Sequence, residues 1–258
     1  MLNFIRSELY RAVRSKEIHG TAIGLVAMVL FLNVTLGLMK DVEHFRYGST
    51  SFSYSMLVAA PMLYCYVASD IAVMLYESER RNGAMGNSVA FGLSRMQLFA
   101  GKCIVCFVVS LTLLALALPV YIGSAVLLLH GTGPVTLWDM LLEIPAMSLI
   151  ATASLILAVV VLSLFENSFF SVLAWLTVML LLPKLLLLAG MLLGSNALMN
   201  IAMWMPANFI PAATHVNTSE CTAVWDTAEG MIKCLMSGAA GMLVFSGLGV
   251  LLLRKQDI

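Results

Sequence analysis

The chain has 258 residues, of which 61% are apolar and only 11% charged, with a mean hydropathy of +0.96. A water-soluble domain of this length cannot hide so much apolar surface, whereas a bilayer removes the need to hide it. Basic and acidic residues number 14 each and cancel, so overall charge implies no nucleic-acid partner, and the information lies in where the charges stand.

At the N-terminus Leu2, Ile5, Leu9 and Val13 recur at helical spacing, with Arg6, Arg11, Arg14 and Lys16 on the other faces. Residues 1–17 are therefore expected to form an amphipathic helix in the membrane interface, its arginines near anionic headgroups. Six apolar stretches follow, each long enough for the roughly 20 residues that a spanning helix needs: Thr21–Met39, Tyr54–Tyr76, Cys103–Leu129, Ile144–Phe165, Phe169–Leu193 and Met231–Leu253. None alternates polar with apolar as a membrane β-strand would. The first is longer than a signal-peptide core, and the amphipathic segment before it argues against a cleavable signal. The expectation is an all-α membrane protein, a single domain over 1–258 with six transmembrane helices.

The connections carry their own signals. The loop Lys40–Ser53 is short. The segment 77–101 mixes charges with Val89, Phe91, Leu93, Met96, Leu98 and Phe99, which is too apolar for a merely solvated loop. Glu166 and Asn167 make a very tight turn. In 194–229 the semi-apolar stretch Ala197–Ile210 holds Trp204 and Pro206, with Pro211 just beyond. It is too short and broken to span, which predicts re-entrant or interfacial helices at the outer face with Trp204 at headgroup level. Asn217, Thr218 and Ser219 form a glycosylation sequon without meaning in a bacterial protein.

With six spans, Arg6, Arg11, Arg14, Lys16, Arg80, Arg81, Arg95, Lys102, Arg254 and Lys255 all fall on one side. The positive-inside rule then puts both termini in the cytoplasm. Catalytic patterns are scarce: no HExxH, GxSxG or Walker A sequence occurs, and His19, His44, His130 and His215 are not at ligand spacing. Cys103 and Cys106 have CxxC spacing on an apolar helix without further ligands, which reads as packing. The ionisable residues placed inside spans are Asp70 and Lys184. Asp70 is expected to pair with Arg95 or Lys102. Lys184 is expected to snorkel outward, after a kink at Pro183. The 18 methionines suit an adaptable apolar surface.

One segment reads Glu79-Arg80-Arg81-Asn82-Gly83-Ala84-Met85-Gly86-Asn87, then Gly92-Leu93-Ser94-Arg95, then Gly101-Lys102. This order resembles the cytoplasmic loop of ABC-2 type transporter permeases, compact six-span bacterial members above all, including those that export antimicrobial peptides or protect against them. Ala84 departs from the threonine often found there. Residues 1–17 resemble the family's elbow helix and 194–229 its re-entrant segment.

The resemblance implies a permease subunit that is not itself an enzyme and has no cofactor of its own, ATP and Mg being bound by a separate ABC ATP-binding subunit. It implies pairing with a second permease subunit, as a homodimer or heterodimer, in the bacterial cytoplasmic membrane. It further implies that Glu79, Arg81, Asn87, Ser88, Val89, Phe91, Ser94 and Arg95 couple the chain to the ATPase, while Arg6, Arg11 and Arg14 meet the lipid interface. The cargo expected is an amphipathic or hydrophobic molecule such as a peptide or drug. A non-transporting scaffold or sensor, or an intramembrane enzyme using Asp70 or Lys184, are the alternatives.

Overall fold

A computed structural model describes residues 1–43, 45–81, 94–165, 167–217 and 220–254. Helix α1 (Leu2–Arg14) is followed by α2 (Lys16–Met39), the break falling at Ser15, whose backbone is extended (φ −70°, ψ 126°). The second apolar stretch is not one continuous helix, contrary to the sequence expectation. It is split into α3 (Thr50–Val58) and α4 (Leu63–Arg81), bent by 64°. Pro61 lies in the gap: it has no N–H to continue the ladder, and its ring clashes with a preceding carbonyl. The chain restarts with Cys65 N–H donating to the Met62 carbonyl at 3.0 Å.

Helix α5 (Arg95–Leu128) begins at a capping box, with Ser94 Oγ accepting from Gln97 N–H at 3.2 Å and Gln97 Oε1 from Ser94 N–H at 3.1 Å. Its 34 residues extend about 51 Å at 1.5 Å per residue. That exceeds a hydrocarbon core of about 30 Å, so the helix projects beyond the hydrocarbon. Helix α6 (Leu137–Leu164) opens with a second capping box between Thr136 and Asp139. The fifth span runs from α7 (Ser168–Leu176) through a π-helical turn (Thr177–Leu181) into α8 (Leu182–Leu193). Leu182 N–H reaches back five residues to the Thr177 carbonyl. The wider turn comes just before Pro183, whose ring would crowd an ordinary i−4 carbonyl. The proline is thus accommodated by a π-bulge, a common cause of local bending.

Gly194, with φ +62°, closes α8, Ser195 N–H donating to the Gly190 carbonyl at 3.0 Å. Two short helices follow, α9 (Asn196–Ala202) and α10 (Pro206–Ala213). Next come a two-residue antiparallel pair, β1 (His215–Val216) with β2 (Cys221–Thr222), a 3-10 turn (Val224–Asp226) and α11 (Ala228–Arg254). Among the described residues five spans are long and apolar enough to cross a membrane, or up to six when the bent α3–α4 pair counts as one.

Helix α6 is the centre of the bundle. Its apolar window is 67% buried, against 6% for α2. It packs on α11, α4, α7, α5 and α3, while α2 and α1 lean on α5. In lipid no hydrophobic force separates helix from solvent, so close backbone approach and interhelical hydrogen bonds hold such helices together. Both devices are present. A Cβ on Gly238 of α11 would sit 2.5 Å from Leu149 Cβ and 2.7 Å from the Ile150 nitrogen of α6.

Asn33 of α2, fully buried, donates to the Tyr121 carbonyl at 3.0 Å and to Ser124 Oγ at 2.7 Å on α5, and accepts from Ser53 Oγ of α3 at 2.7 Å. Tyr121 also donates its hydroxyl to the Ser53 carbonyl. On the other side of α6, Ser154 Oγ meets Ser69 Oγ at 3.0 Å, and Trp175 of α7 donates to the Ser154 carbonyl at 3.2 Å.

Gly238→Ala is expected to lower stability by about 1–3 kcal/mol through overpacking of α6 against α11. Gly247→Ala, on the same helix but with open space around its Cβ, should leave the melting temperature in detergent unchanged. Equal melting temperatures for the two variants would refute this account of the α6–α11 contact.

Candidate functional site

One end of the bundle gathers α1, the first turns of α5 and the last turns of α11. Gly101 of α5 is where α1 docks: a Cβ there would lie 2.8 Å from the Phe4 ring. A Cβ on Gly249 of α11 would meet the Phe99 ring at 2.7 Å. The neighbouring Lys102 is buried, its Nζ 3.9 Å from the centre of the Tyr76 ring on α4. The adjacent Gly-Lys pair therefore has a packing logic, the glycine admitting α1 and the lysine lying across α4.

Backbone at Glu79 and Arg81 belongs to the last turn of α4, and Arg95 is the first residue of α5. The segment 77–101, expected to be folded with short helices, continues α4 at one end and opens α5 at the other. Ser94 is exposed and serves as the N-cap of α5, a structural role the sequence reading had not given it. Asn87, Ser88, Val89 and Phe91 lie outside the described residues, as do the side chains of Glu79, Arg81 and Arg95. So do Glu166, Thr218 and Ser219, and the C-terminal Lys255.

On α1, Arg6 and Arg14 are exposed and Arg11 is partly buried. Arg11 bonds Glu8 at 2.6 Å, and the Arg14 guanidinium lies 4.5 Å from the Tyr10 ring centre. This is an amphipathic helix with a charged outer face and an inner face on α5.

Within the membrane region the expected pairing of Asp70 with Lys102 is not formed. Lys102 points to Tyr76, and Asp70 is exposed on α4, beside a cleft of about 360 Å³ that also includes Ser69, Ser171 and Trp175. Lys102 lies on a face of α5 turned to the aromatic ring, and the side chain of Arg95, the other expected partner, is outside the described residues. Lys184 is exposed, next to the buried Pro183, whose carbonyl accepts from Asn208 Nδ2 of α10 at 2.8 Å. The two short helices after α8 are thereby tied back to it. Trp204 is half exposed, with Lys233 Nζ 5.5 Å from its ring centre.

The sequence reading missed one acid. Starting the fourth span at Ile144 left Glu143 outside it, yet α6 begins at Leu137 and Glu143 is fully buried in its second turn. The signal was present as Thr136-Leu137-Trp138-Asp139, a cap followed by an acid three residues later. Pro145, tolerated inside the helix, masked it.

The cavity nearest this acid lies between α2, α4, α5 and α6, has a volume of about 230 Å³ and is lined almost wholly by apolar side chains together with Tyr64 and Tyr121. The bundle therefore offers one end built from charged and capped helix termini, and an apolar interior with few polar groups.

The sequence model of a family described as ABC-2 family transporter protein matches residues 4–184. The chain belongs to the ABC-2 transporter family. No curated protein matches it. As an ABC-2 permease it is a multi-pass membrane component of an ABC transporter, working with an ATP-binding subunit and lacking an ATPase site of its own. The matched stretch runs from the elbow-like α1 to Lys184 in α8, leaving α9, α10 and α11 beyond it.

Asp70→Asn is expected to leave thermal stability within about 0.5 kcal/mol of the parent, because the carboxylate is exposed and makes no ion pair among the described residues. A large fall in melting temperature would reveal a partner and restore the ion-pair reading.

Proposed function

We propose that this ABC-2 permease exports an amphipathic or hydrophobic molecule, such as an antimicrobial peptide or a drug, across the bacterial cytoplasmic membrane. The observation that carries the reading is the assembly of α1, the α4 and α5 termini that flank 82–94, and the end of α11 at one end of the bundle. A segment strung between two rigid helix ends is well placed to receive force from a docked partner. In this reading the charged end faces the cytoplasm together with both termini, as the positive charges require. Glu79, Arg81, Asn87, Ser88, Val89, Phe91, Ser94 and Arg95 form the docking element for the ATP-binding subunit, which holds ATP and Mg.

Two permease subunits pair in the membrane, identical or paralogous, and ATP-driven closure of the ATPase dimer rocks them as near-rigid bodies. The largely apolar lining of the interior cavity supports cargo with a large apolar part. A scaffold or sensor would use the same docking element without flux, so flux itself separates the two readings.

Purification from the native membrane in mild detergent should bring down a stoichiometric subunit carrying a Walker A motif. Glu79→Lys and Arg95→Glu should then uncouple ATP hydrolysis from flux while leaving membrane insertion intact. Unchanged coupled flux in both would remove the docking assignment.

Sidedness has its own test. Gly131, in open space between α5 and α6, should label from outside intact cells as Gly131→Cys, whereas Asn87→Cys should not. Native Cys221 is at the same end as Gly131. Burial, and then the Asp139 and Asp226 carboxylates, push its thiol up to about 11. Because the thiolate is the reactive form, Cys221 should label slowly near neutral pH and faster at each higher pH, well past about 8.5, where an ordinary thiol levels off. Labelling of Asn87→Cys from outside would invert the topology.

A further inference from the structure

Glu143 is fully buried in α6, and neither carboxylate oxygen has a hydrogen-bond partner among the described residues. The Tyr64 hydroxyl, in the first turn of α4 just past the Pro61 break, is also buried without a partner. The carboxyl lies within electrostatic reach of both the Tyr64 and Tyr121 phenols. An acid in a membrane span is costly, and such groups ordinarily face a partner or a water-filled cavity.

Independently of this, Ile144, the next residue of α6, and Met147, one helical turn past Glu143, line the cavity of about 230 Å³. Leu25, Val67, Leu113, Met147, Ala151 and Leu155 are part of its apolar wall, Tyr64 and Tyr121 also line it, and Ser110, Ser148 and Thr152 border it. Glu143 itself is not part of the lining, but Ile144 next to it and Tyr64, within its electrostatic reach, both are.

We infer that this cavity binds the apolar body of an organic cation, whose ammonium or guanidinium head is received by Glu143 beside Ile144 and Tyr64. A neutral ligand would leave the charge of the carboxylate uncompensated, and an anionic one would be repelled. A bare divalent metal ion needs several oxygen ligands, and no group of three acidic, histidine or cysteine side chains suited to a metal exists among the described residues. A single carboxylate close beside an apolar cavity suits one cationic group on a compact hydrophobic body. This names the cargo class for the transport reading above and rests on that reading only in calling the ligand a cargo, since binding requires no ATPase.

The test uses the full chain in lipid nanodiscs with tritiated adamantylamine, a compact hydrocarbon cage bearing one ammonium. Adamantanol and adamantane carboxylate, with the same cage and other heads, serve as competitors. Binding should be saturable, and both competitors should displace at least about tenfold more weakly than unlabelled amine. Glu143→Gln should weaken amine binding at least about tenfold, as loss of one partner from a buried charge pair does. Ala151→Phe, which fills the cavity, should abolish it. Tyr64→Phe should weaken it severalfold, and carries the test by itself if Glu143→Gln does not fold.

No saturable binding, equal displacement by the three heads, or unchanged affinity in Glu143→Gln would overturn the inference. So would unchanged affinity in Tyr64→Phe where the Gln variant does not fold. Such a failure leaves co-purification with a Walker A subunit untouched, so the transporter reading stands or falls separately.

Discussion

The bundle depends on the burial of α6. A helix wrapped by five neighbours gains little from being apolar when lipid is equally apolar, so its position must be fixed by shape and by a few directed bonds. Gly238 lets α11 approach α6 until backbone meets backbone. Ser154 on another face of α6 gathers α4 through Ser69 and α7 through Trp175. Those contacts set the tilt of the outer helices, and the cavity between α2, α4, α5 and α6 is the space they leave.

Helix α2 is held differently. It is exposed to lipid along most of its length and attaches through Asn33, whose amide is satisfied by Ser53, Tyr121 and Ser124 from two other helices. A buried amide with every bond met specifies one register, because sliding α2 by a residue would strand the amide in hydrocarbon. The same reasoning makes Glu143 stand out, since it is the buried acid for which the packing supplies no partner. The contrast between Asn33 and Glu143 is one between structural glue and a group held in reserve for a ligand.

Much of the architecture was legible in the chain. The amphipathic α1, the spans and the short helices around Pro206 all follow from hydropathy and proline placement, since lipid forces every span to satisfy its backbone internally. Less legible were the helix boundaries and the internal breaks. Pro61 splits a stretch that reads as continuous, because hydropathy does not sense a missing N–H. Glu143 was lost because an acid followed by a proline reads as the edge of a span, although Thr136 and Asp139 mark the true start. The proposed Asp70–Lys102 pair joined two charges close to one interface, but which face of each helix they occupied was not in the sequence pattern.

By itself the sequence determined that this is an all-α membrane protein, and its motif order resembled the ABC-2 permeases to which it belongs. Those properties are written in run length, composition and local motif, which need no knowledge of neighbours. Only the tertiary structure decided that α6 is central, that Lys102 lies over Tyr76 rather than beside Asp70, and that Glu143 is buried near an apolar cavity. Each depends on which helix faces meet, and in a bilayer that choice rests on glycine-scale fit and single hydrogen bonds between residues far apart in the chain.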